Sequence, residues 1–97
     1  MKQEQIKRNL QSVGMACFVK YFRLFSDKTI TDASAVKTLR GQEGYTESGS
    51  RTRVSVSRRL IAQGHARTAL SMVTNAEKVD VTTRRTAHTL LNELSQA

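Results

Sequence analysis

Apolar residues recur along most of the chain at steps of three and four positions, which is the spacing of helices that bury one face. The first such segment covers residues 3–25 and contains all three phenylalanines, Phe18, Phe22 and Phe25. Six further residues complete its predicted inward face: Ile6, Leu10, Val13, Cys17, Tyr21 and Leu24. We therefore predict one long helix over residues 3–25 as the spine of the core.

A second helix is predicted to begin at Thr31, whose hydroxyl can accept a hydrogen bond from a backbone N–H of the first turn. Its predicted inward residues are Ala35, Val36 and Leu39. Gly41 and Gly44 then bracket the segment GQEG, which we predict to be a turn, because glycine readily adopts the left-handed conformation that ends helices. The second helix is therefore predicted to be short.

The same spacing predicts further helices in the second half of the chain. Thr46 is the predicted N-cap of a third helix that runs to about Ala62, with Gly64 as its stop, and a fifth begins at Val81 or Thr82 after a short fourth. The inward residues of these helices are Val54, Val56, Leu60 and Ile61, then Ala66, Ala69, Leu70 and Val73, and finally Ala87, Leu90, Leu91 and Leu94. The pattern predicts one all-α domain over residues 1–97, a compact bundle of about five helices.

Two short segments also fit strands, because RVSVS (residues 53–57) and KVDVT (residues 78–82) alternate apolar and polar positions. They leave open an α+β fold with a small two-stranded ribbon. We favour helices, because an isolated pair of strands is only marginally stable in water. In addition, Val56, Leu60 and Ile61 continue a helical face.

Composition restricts the classes of function. The 97 residues include 16 Lys and Arg against 8 Asp and Glu, a formal net charge of +8, which in a small protein indicates a polyanionic partner. The single cysteine, Cys17, cannot form an internal disulfide, and no apolar run approaches the roughly 18 residues that span a bilayer. We therefore expect a cytoplasmic protein with no membrane partner.

The positive charge is concentrated in the third predicted helix, and residues 48–76 contain no acid. Its open face is predicted to hold Ser48, Arg51, Thr52, Ser55, Arg58 and Arg59. Guanidinium and hydroxyl groups bind phosphate oxygens and also reach base edges in a major groove, so we predict that this face contacts double-stranded DNA. Arg53 turns toward the buried arc instead, where we expect an acid to pair with it.

A helix, a glycine-containing turn and a second helix form the arrangement that holds a recognition helix in the major groove. Two pairs qualify: the second and third helices joined through GQEGYT, and the third and fourth joined through Gln63, Gly64 and His65. Either pair makes the protein a candidate transcriptional regulator or an accessory factor of a mobile element.

The segment GHARTALSMVTN is similar to the turn and recognition helix of lac-repressor-type helix-turn-helix proteins. Five residues match in spacing, namely Gly64, Leu70, Ser71, Val73 and Asn75. The segment departs from the pattern at Arg59, where an apolar residue is usual, and at Ala66, where a serine is usual. The resemblance implies that Arg67, Thr68 and Ser71 contact DNA.

Other functions fit the same residues. The arginine face can instead be solvated and paired with Asp32, Glu43 or Glu47, or it can dock on an acidic protein partner, as in an adaptor or inhibitor. RNA is a further candidate ligand, although few aromatic residues are available for base stacking. The leucines of the fifth helix are expected in the core, with a homodimer interface as the alternative.

No catalytic motif or metal-ligand spacing is present. His65 and His88 are far apart in sequence, the carboxylates are scattered, and no phosphate-binding glycine loop occurs. A cluster of His65 with Arg67 resembles a nuclease site only distantly. We therefore predict no enzyme and no cofactor.

Overall fold

The computed structural model describes residues 2–96, which form seven α-helices and no strand. The helices are α1 (Gln3–Val13), α2 (Met15–Lys20), α3 (Phe22–Ser26), α4 (Asp32–Glu43), α5 (Glu47–Ala62), α6 (Ala66–Thr74) and α7 (Val81–Gln96). The all-α prediction is confirmed for these residues, and the two-stranded ribbon is wrong, because residues 53–57 lie within α5 and residues 78–82 form a turn and the start of α7.

The prediction of one continuous helix over residues 3–25 is wrong, because the segment is divided into α1, α2 and α3. Gly14 ends α1 with a φ of 93°, a conformation that only glycine adopts readily, and its N–H bonds to the carbonyl of Leu10 at 2.9 Å. A second, milder break falls at Tyr21. The carbonyl of Tyr21 still accepts a hydrogen bond from the N–H of Phe25 at 2.9 Å. The split at these two points accounts for seven helices where about five were predicted.

The aromatic residues of α2 and α3 form the cluster that the sequence predicts at the core. The Phe18 ring lies 5.5 Å from Phe22 edge to face and 6.5 Å from Phe25, and Tyr21 lies 6.4 Å from Phe25, measured between ring centroids. Aromatic pairs at such distances add about 0.5–1.5 kcal/mol each beyond the burial of their area. This cluster fixes α2 and α3 as one buried segment.

Tyr21 also ties this segment to the end of α4. Its hydroxyl donates to Oε2 of Glu43 at 2.7 Å and lies 3.0 Å from Oε1 of Gln42. Lys20 Nζ donates to the same Glu43 oxygen at 2.8 Å. The hydrogen bonds from Lys20 and Tyr21 hold the pKa of Glu43 below its ordinary range, since both favour the ionised carboxylate.

Helix α4 is longer than predicted. It runs through Gly41 to Glu43 and is ended by Gly44, which adopts the left-handed conformation with a φ of 71°. Gly41 stays helical, so the predicted GQEG turn is wrong. The connection to α5 is the segment 44–46. Both predicted caps are confirmed, since Thr31 accepts from the N–H of Ser34 at 3.1 Å and Thr46 from the N–H of Gly49 at 3.0 Å.

Helix α5 lies at the centre of the fold, where it packs against α1, α3, α4 and α6. Its buried residues are Ser50, Val54, Val56, Ser57 and Leu60. Gly64 follows its end with a φ of 82°, and the N–H of His65 reaches back to the carbonyl of Leu60 at 2.9 Å, so the predicted stop is confirmed. Helix α7 packs against α6 and α2, on another side of the molecule.

Candidate nucleic-acid interface

One side of α5 remains open to solvent. We call it the α5 stripe and define it by the exposed residues Ser48, Arg51, Thr52, Ser55 and Arg59. At about 100° per residue these positions fall on one arc, opposite the residues that α5 buries. The stripe therefore brings together four of the predicted contact residues, namely Arg51, Thr52, Ser55 and Arg59.

Arg58 was predicted on the open face, but the structure turns its side chain inward, with 21% of it exposed. Its guanidinium donates to Oδ1 of Asp32 at 2.5 Å, to the carbonyl of Leu24 at 3.3 Å and to the carbonyl of Asp27 at 3.2 Å. These partners belong to α3, the loop after it and the start of α4. We call this arrangement the Arg58 junction; its guanidinium holds α3 and α4 against α5.

Arg53 faces the interior, as predicted, but no acid pairs with it among residues 2–96. Its guanidinium lies 3.8 Å from the centroid of the Tyr45 ring and donates to the carbonyl of Gly49 at 3.1 Å. A cation over an aromatic face is attracted by the ring's electrons, which replaces the expected ion pair. Arg53 therefore braces the start of α5 against the connection from α4.

The N-terminal half of the stripe borders a groove of about 620 Å³ between α4 and α5. Its cationic side chains are Lys37 and Arg40 of α4 and Arg51 of α5. Glu47 lies 3.8 Å from Arg40 and 3.6 Å from Arg51, and exposed ion pairs of this kind are weak. Lys37 and Arg40 were not among the predicted contact residues, although their spacing of three positions places them on one helix face.

Arg59 occupies the other end of the stripe. Among residues 2–96 it takes part in no ion pair and no hydrogen bond of its side chain, unlike its neighbour Arg58. Arg59 and Arg8 of α1 line one cleft. Their proximity was not predicted, since Arg8 is far from α5 in the sequence. The open arginines of α5 are thus Arg51 and Arg59.

The remaining predicted contacts lie on α6, away from the stripe. Arg67 is exposed and donates to the backbone carbonyl of Leu94 at 2.8 Å, near the C-terminal end of α7. Thr68 and Ser71 are half-buried, and α6 packs mainly against α7 and α1. The structure therefore separates Arg67 and Thr68 from the α5 residues with which they were grouped.

The leucines of α7 belong to the core. Leu90 is buried, and Leu91 and Leu94 are partly buried against the core cluster. Within residues 2–96, no group of three metal-ligating side chains comes together, and none of the helices has the length and apolar character that a membrane crossing requires.

The chain matches no protein-family model, and neither a curated protein nor a solved structure resembles it significantly.

Proposed function

We propose that the protein binds double-stranded DNA through the α5 stripe, as a small transcriptional regulator does. The observation that carries the proposal is the stripe itself, which combines Arg51 and Arg59 with three hydroxyl side chains. Thr52 and Ser55 lie between the two arginines, and Ser48 lies one turn before Arg51. The stripe contains no carboxylate, and Glu47 lies beside it, 3.6 Å from Arg51. The two arginines are eight residues apart, about 12 Å along a helix, which is close to the roughly 12 Å width of a major groove. Their guanidinium groups can therefore reach phosphates on both sides of a groove that holds α5.

The hydroxyl side chains of the stripe suit the floor of such a groove. Ser48, Thr52 and Ser55 are short, so they let the helix approach closely, and their hydroxyls both donate to and accept from base edges. They are poor choices for a purely structural surface, because serine and threonine favour helices less than alanine, lysine or glutamate. Contacts to a ligand explain this composition better than helix stability does.

The neighbouring helix supports the same placement. In helix-turn-helix proteins the recognition helix enters the groove while the preceding helix crosses the backbone. Here α4 precedes α5 through the segment 44–46 and offers Lys37 and Arg40 beside Arg51. We propose α5 as the recognition helix and these two cations as phosphate contacts.

Fluorescence anisotropy with a random-sequence duplex, measured over a range of salt concentrations, tests the proposal. Each phosphate contact contributes about 0.9 to the slope of log K against log salt, so the double variant R51A/R59A is expected to bind more weakly, with a slope smaller by about 2. The matched control is R23A/R85A, which removes the same charge on the side of α7, where Arg23 pairs with Glu93.

Two results contradict the proposal. One is the absence of binding by the wild type at low salt; the other is an equal loss in both double variants, which would mean that net charge alone attracts the duplex. Circular dichroism establishes that each variant is folded. Competition of the duplex against polyglutamate distinguishes DNA from an acidic protein partner, which is the second candidate because the groove between α4 and α5 also contains apolar Val36 and Val54.

A further inference from the structure

A second depression lies at the C-terminal end of the α5 stripe, between α1 and α5. It has a volume of about 400 Å³ and is lined by Gln5, Arg8 and Asn9 of α1, by Arg59 of α5 and by Gln63, which follows α5. Spacings of three and four positions put Gln5, Arg8 and Asn9 on one face of α1, and Gln63 follows the end of α5, four positions after Arg59. Because α1 and α5 pack along each other through the core, both sides of the cleft are held in place.

The lining of this cleft is unusual in its chemistry. Two guanidinium groups and the carboxamides of Gln5 and Gln63 supply hydrogen-bond donors, and no carboxylate is part of the lining. Neither Arg8 nor Arg59 has an ion pair among residues 2–96, in contrast to Arg51 at the other end of the stripe, which lies 3.6 Å from Glu47. The acid nearest to Arg8 in sequence, Glu4, does not line the cleft.

We infer that the cleft between α1 and α5 binds a phosphate group of the DNA backbone, between Arg8 and Arg59. The inference rests on the proposed function and extends it to α1, a helix outside the α4 and α5 pair. Like charges that line one cleft repel each other, and an anion between them removes that cost. Guanidinium groups bind phosphate through paired N–H donors, and carboxamides such as those of Gln5 and Gln63 add neutral donors.

The position of the cleft fits this role. Arg51 and the groove beside α4 lie at one end of the stripe, and Arg59 and the cleft lie at the other, about 12 Å away along the helix. A duplex whose major groove holds α5 therefore presents one strand's phosphates to Lys37, Arg40 and Arg51 and the other strand's to Arg8 and Arg59. The stripe and its two ends form one continuous surface.

The test compares three single variants of the full chain in the duplex-binding assay: R8A, R51A and the control R85A, which removes an exposed charge from α7. We expect R8A to weaken binding several-fold and to lower the salt slope by about 0.9, as R51A does, while R85A binds as the wild type does. The charge reversal R8E is expected to weaken binding further. Thermal unfolding checks that the exposed Arg8 is not needed for folding.

The outcomes separate the two proposals. If the wild type and R51A behave as expected but R8A matches R85A, the cleft inference fails and the proposed function stands. If the wild type binds no duplex, both fail. An NMR titration with inorganic phosphate alone tests whether the cleft binds a free anion instead of the DNA backbone. The signals to follow are the side-chain amides of Gln5 and Gln63. If they shift with free phosphate and not with duplex, the cleft binds a free anion and the inference is overturned.

Discussion

Arg58 and Arg59 are adjacent in sequence, yet they belong to two different regions of the molecule. Arg58 lies in the Arg58 junction, where its guanidinium donates hydrogen bonds to one carboxylate and two backbone carbonyls. Arg59, about 100° further around α5, ends the stripe and meets no acid among residues 2–96. The same side chain thus holds helices together at one position and leaves its charge available at the next.

This difference shows that a run of arginines is not one functional unit. Around a central helix, the neighbouring elements decide what each guanidinium does. Asp32 at the start of α4 and two backbone carbonyls at the end of α3 accept hydrogen bonds from Arg58, and the Tyr45 ring contacts Arg53. On α5, only arginines that face away from its four packing neighbours keep an exposed guanidinium. These exposed guanidinium groups are the ones that can bind a polyanion.

The largest expected effect separates the two arginines directly. R58A removes the donor of three hydrogen bonds at a largely buried site, so we expect it to lower the free energy of unfolding by about 2 kcal/mol. R59A removes an exposed side chain and is expected to change that free energy by less than about 0.5 kcal/mol. Urea denaturation followed by circular dichroism measures both. Equal losses of unfolding free energy in R58A and R59A would contradict the different roles assigned to the two arginines.

An intermediate effect is expected at the connection that orients α5. Gly44 has a φ of 71°, and a Cβ there meets no atom within 4 Å, so G44A is expected to lose about 1 kcal/mol from backbone strain alone. Gly41 lies in the helix, again with open space around a Cβ, so G41A is expected to gain about 0.5 kcal/mol from helix propensity. Thermal unfolding of both variants gives the signs, and a gain in G44A would refute the assigned turn.

The smallest expected effect concerns pH and the end of α4. The pKa of Glu43 is lowered in the folded protein by Lys20 and Tyr21, so its contribution to stability is present above the ordinary glutamate pKa of about 4.3 and is lost as the pH falls through the lower folded value. We expect the unfolding free energy of E43Q to fall less steeply in this range than that of the wild type. The partner variant K20Q should show a smaller pH dependence for the same reason, and a slope identical to the wild type in both would contradict the assignment.

Much of the fold follows from local rules that the sequence displays. Apolar spacing locates the helices, and Thr31, Thr46 and Gly64 mark helix ends because their effect is local. The errors arise where one residue's conformation depends on its neighbours. Gly14 breaks a helix that its apolar spacing continues, and Gly41 remains helical next to Gly44, which does not, although both are glycines in the same short segment.

The candidate site is less predictable for the same reason. Ser50 and Ser57 are fully buried on α5 while Ser48 and Ser55 are exposed, and the residue type alone does not distinguish them. The contact of Arg58 with Asp32 and the cleft that Arg8 and Arg59 both line join positions far apart in the chain, so no local sequence pattern predicts them. The helical period does predict the stripe, because the positions on a helix that do not pack against the core are exposed to solvent.

The three hydroxyl residues of the stripe support none of the packing around α5. Ser48, Thr52 and Ser55 are exposed and form no side-chain hydrogen bond among residues 2–96, so exchanging them leaves the core and the Arg58 junction intact. The residues of α5 that stabilise the fold are therefore different from the residues that determine its surface chemistry. A randomised library at these three positions therefore tests the proposed DNA contact while the core of α5 stays constant.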